Sequence, residues 1–300
     1  MVHFIWQEKF WNYLIMNSNL VTNTTFSWKV LNFFQRYIKI SLKEIALMGL
    51  LLAVFTILKY LTFIFFKGPL NFGIELLFWI VIGLIFGPFK GSLFAFFCDF
   101  VFTLFTSGIV FWMIEYAAVA PIVALLSWAF YQFYQVNKPE VIWIALGLNV
   151  MLVVASITLF SLQLQTQFRY EDVKQVFPWV AWTLIVFLNT AIVGFSSFCL
   201  INFYLKQNWK FIKWLYIFSL VILIVVLFRW LWGPYAFIAF FSQKLAPGVA
   251  FDFWTKYWLT LTGIATKSFL TIPLATFILV PLIHVIDVNR KYDLSKNAYF

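Results

Sequence analysis

Long apolar runs dominate this chain, divided by short polar stretches. Eight runs approach the ~17–25 residues that carry a helix across a bilayer. They span 43–66, 72–87, 90–107, 111–136, 141–164, 178–205, 211–240 and 255–286. The second and third are short and meet at Gly83-Leu84-Ile85-Phe86-Gly87-Pro88-Phe89-Lys90-Gly91. Glycine accepts positive φ and close approach, and proline cannot continue the helix before it. Gly83, Gly87, Pro88 and Gly91 therefore predict a tight helix-to-helix hinge. The expected fold is all-α: a polytopic membrane helix bundle of about eight spanning helices.

The pattern also divides the chain. Residues 1–40 lack a long apolar run and mix Phe4, Trp6, Phe10, Trp11 and Tyr13 with His3 and Lys9. Gln7, Glu8 and Lys9 interrupt the place of a signal-peptide apolar core, so no cleaved signal is expected there. An amphipathic segment in the cytoplasmic interface is predicted instead. Residues 41–288 form one integral membrane domain, and 289–300 a cytoplasmic tail. Sizeable loops are expected only at 165–178 and 240–255.

Composition agrees with the pattern. Hydrophobic residues make up 64% of the 300, charged residues 11%, and the mean hydropathy is +0.93. A soluble domain carries roughly 25% charge, so the chain reads as a membrane protein. Cys98 and Cys199 sit singly in apolar runs, and His3 and His284 lie at opposite ends. No metal-ligand spacing follows from them. No Ser-His-Asp order and no P-loop sequence occurs, so no catalytic residue, cofactor or ATPase activity is expected of this chain.

The net charge of +10 could suggest nucleic acid, but topology accounts for most of it. With both termini cytoplasmic, tails and inner loops hold 13 of the 21 basic residues and outer loops hold five. That asymmetry is the positive-inside pattern, and it predicts a multi-pass protein of the cell membrane.

Six ionisable groups fall inside the runs, between the midplane and the outer surface: Lys59, Glu75, Asp99, Glu115, Arg229 and Lys267. A charge at the bilayer centre costs at least ~2.5–3.5 kcal/mol, so such groups face a cavity or one another. Two readings stay open. The six form ion pairs that lock helices, or they line a pocket open to the outside, with Asp99 and Lys267 as its floor. Phe111, Trp112, Tyr116, Trp230, Trp232 and Tyr235 at that level could stack on a flat ligand, although interfacial belts place Trp and Tyr there regardless. Ala46, Gly49 and Ala53 form a small-residue stripe on the first helix, suited to internal packing or to docking on another membrane subunit. Ala117 and Ala120 offer a weaker one.

Gly83-Leu84-Ile85-Phe86-Gly87-Pro88, followed by Gly91 and Asp99, resembles the G-x-x-F-G-P-x-x-G…D core of the substrate-binding (S) components of energy-coupling factor (ECF) transporters, specifically the folate type. The Ala46, Gly49, Ala53 stripe resembles that family's docking face for its transmembrane coupling subunit. Lys267 to Pro273 resembles part of its final helix. Leu148-Asn149 and Leu188-Asn189-Thr190 both resemble its Leu-Asn-Thr helix, and orientation favours Asn149. The resemblance implies a six-helix core with an inserted pair. It also implies a substrate site including Asp99, Lys267, Glu75, Glu115, Arg229, Lys59 and Asn149. Capture of a vitamin from outside, folate or a related pterin, would be driven by two cytoplasmic ATPase subunits acting through the coupling subunit. An S component for another vitamin such as riboflavin, a secondary transporter and a membrane scaffold are the alternatives.

Overall fold

A computed structural model describes residues 40–65, 74–106, 108–135, 140–167, 178–245 and 253–297. The chain divides into two compact units, Met1–Ser41 and Leu42–Phe300. The amphipathic segment expected over 1–40 and most of the 165–178 loop lie outside the described residues.

Among the described residues there is no strand, and the second unit is a helix bundle. Its α-helices are α1 (Leu42–Phe65), α2 (Ile74–Phe86), α3 (Pro88–Thr106), α4 (Ile114–Ala117), α5 (Val119–Gln135), α6 (Glu140–Gln167), α7 (Pro178–Lys206), α8 (Trp209–Ile224), α9 (Trp232–Phe240) and α10 (Phe253–Asn297). Each of the eight apolar runs becomes helix. Seven helical stretches are long and apolar enough to cross a membrane: Leu42–Thr62, Pro88–Phe105, Ile114–Gln135, Glu140–Thr158, Ile185–Lys206, Trp209–Gln243 and Leu270–Val288. The eighth, α2, has 13 residues, ~20 Å of helix, which is less than the ~30 Å of a hydrocarbon core.

The hinge is compact. α2 ends at Phe86, Gly87 alone intervenes with φ +83°, and Pro88 opens α3. The left-handed conformation suits glycine at a helix end. Proline suits a first helical position, where its missing N–H has no partner to lose. The Gly87 N–H donates to the Gly83 carbonyl at 3.1 Å, and the Gly91 N–H to the Gly87 carbonyl at 3.1 Å. Gly83 has a second role: a Cβ placed there would lie 2.1 Å from the Ala124 carbonyl oxygen. The missing side chain lets α2 cross α5 backbone to backbone. Ser92 adds a hydrogen bond from α3 to the Pro121 carbonyl of α5, at 2.9 Å.

The other half is built around α8, whose residues are buried on nearly every side. It packs against α6, α7 and α10, and less extensively against α5. α7 and α8 join through Gln207, at φ 49°, and Asn208, whose side chain caps α8 by accepting from the Lys210 N–H at 3.0 Å. α8 runs on through a π-helical segment, Val225–Leu231, into α9 and a second π-helical segment, Phe241–Leu245. One apolar core links both halves, from Phe55 of α1 to Ile283 of α10.

Candidate functional site

The shortness of α2 sets the site. If its Gly87 end lies level with the start of α3, Glu75 in its first turn stands only ~18 Å along the helix, at a depth the longer neighbours pass through. A lone carboxylate there needs partners, and two helices supply them. Lys59 of α1 makes an ion pair and hydrogen bond with Glu75 Oε1. Arg229 Nη2 lies 3.3 Å from Glu75 Oε2. The Lys59 ammonium also sits 4.5 Å from the centre of the Phe102 ring of α3, a cation–π contact that supports the charge away from water.

Arg229 reaches Glu75 from the π-helical segment. A π turn widens the helix and leaves carbonyls without their usual partners. The Tyr257 hydroxyl of α10 approaches two of these, the Leu231 carbonyl at 3.1 Å and the Trp230 carbonyl at 3.4 Å. The Trp230 indole donates to Ser268 Oγ at 3.0 Å, and the Trp232 indole to the Glu115 carbonyl at 2.7 Å. Tyr257 and Ser268 of α10 thus hold the segment that presents Arg229, and the Glu115 carbonyl holds the residue that follows it.

Asp99 is half-buried on α3, within electrostatic range of Lys59 and Glu75. Among the described residues it makes no hydrogen bond and no ion pair. Among the described residues three buried indole N–H groups, those of Trp79, Trp112 and Trp258, also lack an acceptor. Trp79 lies one turn along α2 from Glu75, and Trp112 stands edge-on to Phe96 and Phe100 of α3, both at 5.8 Å. Tyr116 lies in the field of Arg229. Among the described residues no three His, Cys, Asp or Glu side chains gather as a metal site requires.

Of the seven residues expected at a binding site, the structure gathers Lys59, Glu75, Asp99 and Arg229. Glu115 is half-buried beside Tyr116, and its carboxylate forms no ion pair among the described residues. Lys267 was expected in a mid-membrane floor beside Asp99. Its neighbour Ser268 is buried and accepts from the Trp230 indole, whereas Lys267 is exposed and makes no ion pair among the described residues. One helical step, ~100°, separates the two side chains.

Asn149 is engaged elsewhere as well. Its amide donates to Ser196 Oγ at 2.9 Å, while Ser156 Oγ donates to Asn189 Oδ1 at 2.8 Å. Both pairs cross between the antiparallel helices α6 and α7. The sequence carries the cause: Leu148-Asn149-x-x-Leu152-Val153-x-x-Ser156 repeats as Leu188-Asn189-x-x-Ile192-Val193-x-x-Ser196. Run antiparallel, the two copies put each Asn opposite the other's Ser.

The sequence reading missed a second polar group. Tyr131 of α5 donates to Asp287 Oδ1 of α10 at 2.5 Å, and Tyr134 lies within electrostatic range of the same carboxylate. The two tyrosine rings stack at 5.8 Å, and the Lys213 ammonium lies 5.0 Å from the Tyr134 ring centre. The available signal was the Tyr131, Tyr134 spacing of three, which puts both on one helix face.

The stripe on α1 faces outward. Ala46, Gly49 and Ala53 are exposed, and a Cβ at Gly49 would meet nothing within 4 Å. Internal packing within the described residues does not account for it. Comparison of the chain with models of known protein families, with curated proteins and with solved structures returns no match.

Proposed function

We propose that this chain is the substrate-binding membrane component of an ECF-type importer, taking a vitamin, folate or a related pterin, from outside the cell. The observation that carries the reading is Asp99: a half-buried carboxylate without a hydrogen bond among the described residues, within electrostatic range of Lys59 and Glu75. A ligand with paired N–H groups suits a free carboxylate, and a ligand carboxylate or carbonyl suits Lys59 or Arg229. The hinge that resembles the family motif places α3, and Asp99 with it, next to α2. The exposed stripe on α1 is the face offered to a coupling subunit, with two cytoplasmic ATPases supplying the energy. In this reading the chain performs no chemistry itself. Both termini are cytoplasmic, as the basic residues favour.

One observation favours a different reading. Lys59, Glu75 and Arg229 satisfy one another, which is what a helix lock in a membrane scaffold would look like. Mass spectrometry of small molecules that co-purify with the protein separates the two. A pterin bound in stoichiometric amount, and lost in Asp99→Asn, is expected for a substrate-binding component. A purified protein that carries no small molecule and gains no thermal stability from any vitamin would end the importer reading.

A further inference from the structure

Helix α1 is attached to the bundle unlike its neighbours. Among its side chains whose burial is described, only Phe55 and Thr62 are buried. Its packing is chiefly on α2 and α3. What fixes it are charges near both ends. Glu44 Oε1 lies 2.7 Å from the buried ammonium of Lys90 on α3, and Lys59 pairs with Glu75 on α2. The two clips are 15 residues apart on α1, ~22 Å of helix. Between them the Phe55 ring packs on Phe78 at 4.9 Å and on Phe102 at 5.9 Å.

In lipid, an apolar helix face gains little by leaving the acyl chains, so helix association rests on close packing and polar contacts. α1 has little of the first and two of the second. Releasing it exposes mostly apolar surface, which lipid covers at small cost. The obstacle is breaking ion pairs away from water. An element held this way has two positions, and whatever satisfies the charges selects between them.

We propose that α1 is a strap, engaged or released as a unit, and that occupancy of the Glu75 site controls it. The clip at Lys59 is made of site residues. A ligand oxygen that accepts from Lys59, or a ligand N–H that donates to Glu75, substitutes for the Lys59–Glu75 pair and removes the obstacle to release. The Glu44–Lys90 pair then serves as the pivot. Occupancy and strap position are reciprocally linked, since each changes the free energy of the other by the same amount. The ligand's part in this rests on the binding-site reading above; the strap itself does not.

Distance measurement between spin labels tests both parts. Labels go on Leu50→Cys of α1 and Ile122→Cys of α5, both exposed positions. The background is Cys98→Ala, Cys199→Ala, and the full chain is held in lipid nanodiscs. A second pair, Ile122→Cys with Leu274→Cys of α10, reports on the body of the bundle. The parent is expected to give one narrow α1–α5 distance. Lys59→Met should add a longer population, Glu44→Gln with Lys59→Met should make it the major one, and Lys59→Arg should keep the parent distance. The α5–α10 distance should stay narrow throughout. An α1–α5 distance unchanged in the double variant overturns the strap. So does simultaneous broadening of both distances, which would make Lys59 a lock on the whole bundle. Folic acid added to the parent should populate the longer distance. If it leaves the distribution unmoved while Lys59→Met shifts it, control by that ligand is overturned and the strap stands.

Discussion

Glu75 and Arg229, separated by 154 residues of chain, meet at 3.3 Å where the first turn of α2 faces a π-helical turn. The contact exists because both elements are irregular. α2 is shorter than the hydrocarbon core is thick, and Arg229 sits in the π-helical segment between the apolar helices α8 and α9. Glu75 holds Lys59 through its other oxygen, so one carboxylate joins three segments.

Removing that carboxylate should therefore cost stability. Glu75→Gln leaves Lys59 and Arg229 facing each other without compensation, and losing one partner of a buried ion pair costs up to ~3–5 kcal/mol. Arg229 is about a third exposed, so the lower end of that range is expected. Thermal unfolding in detergent measures it. A Glu75→Gln protein as stable as the parent would show that the cluster does not hold these helices together.

Two glycines should respond in opposite ways to added bulk. Gly83→Val places atoms where the Ala124 backbone already lies, and overpacking of this kind costs ~1–3 kcal/mol or more. Gly49→Leu meets open space and should leave thermal stability unchanged within ~0.5 kcal/mol. If the exposed stripe docks a coupling subunit, Gly49→Leu should abolish co-purification with that subunit while Gly83→Ala, where the fold survives, should not. Retained association in Gly49→Leu would remove the stripe from the interface.

The helices were legible because lipid imposes one rule on every spanning segment: the backbone must satisfy itself, and the side chains must be apolar. The hinge was legible for a local reason, since Gly87 and Pro88 each have a conformation few other residues share. Depth was partly legible, which is why Lys59, Glu75, Asp99 and Arg229 could be grouped by level. Facing was not. Nothing in the run around Lys267 distinguishes its direction from that of Ser268, and only the Trp230–Ser268 contact decides it. Asn149 illustrates the same gap: its partner Ser196 lies on the next helix, and the repeat shared by α6 and α7 was the clue. Arg229 had the right depth by counting, yet the π turn that aims it has no sequence mark that sets it apart from continuous helix.

At the Tyr131–Asp287 contact, burial of the donor predicts a measurable cost. Tyr131→Phe removes a hydrogen bond to a carboxylate, worth ~1.5–3 kcal/mol where the acceptor is charged. Tyr134 stacks on Tyr131 within electrostatic range of Asp287, so its hydroxyl can take over the lost contact, Tyr131→Phe alone should fall at the low end, and Tyr131→Phe with Tyr134→Phe should exceed the sum of the two single changes. A double-mutant cycle by thermal unfolding reads the coupling. Strict additivity would mean that the two hydroxyls act independently on Asp287.

Asp99 and Lys267 were expected to share one site; Asp99 is half-buried, Lys267 is exposed, and no ion pair joins them among the described residues, so the two can be tested separately. Because Asp99 makes no hydrogen bond and no ion pair among the described residues, Asp99→Asn removes no such contact among them. It leaves the Lys59–Glu75–Arg229 group intact. Its effect on folding should be small, and its effect on a ligand large: loss of a charge-assisted hydrogen bond weakens binding by ~1.5–3 kcal/mol, or ~10–150-fold in Kd. Lys267→Met removes an exposed charge from α10 and should leave ligand affinity unchanged. Titration of the co-purified molecule against the parent and both variants, with thermal unfolding of each, distinguishes the cases. An affinity lost in Lys267→Met and retained in Asp99→Asn would move the site to the other side of α10. A large loss of stability in Asp99→Asn without ligand would make Asp99 part of the helix lock.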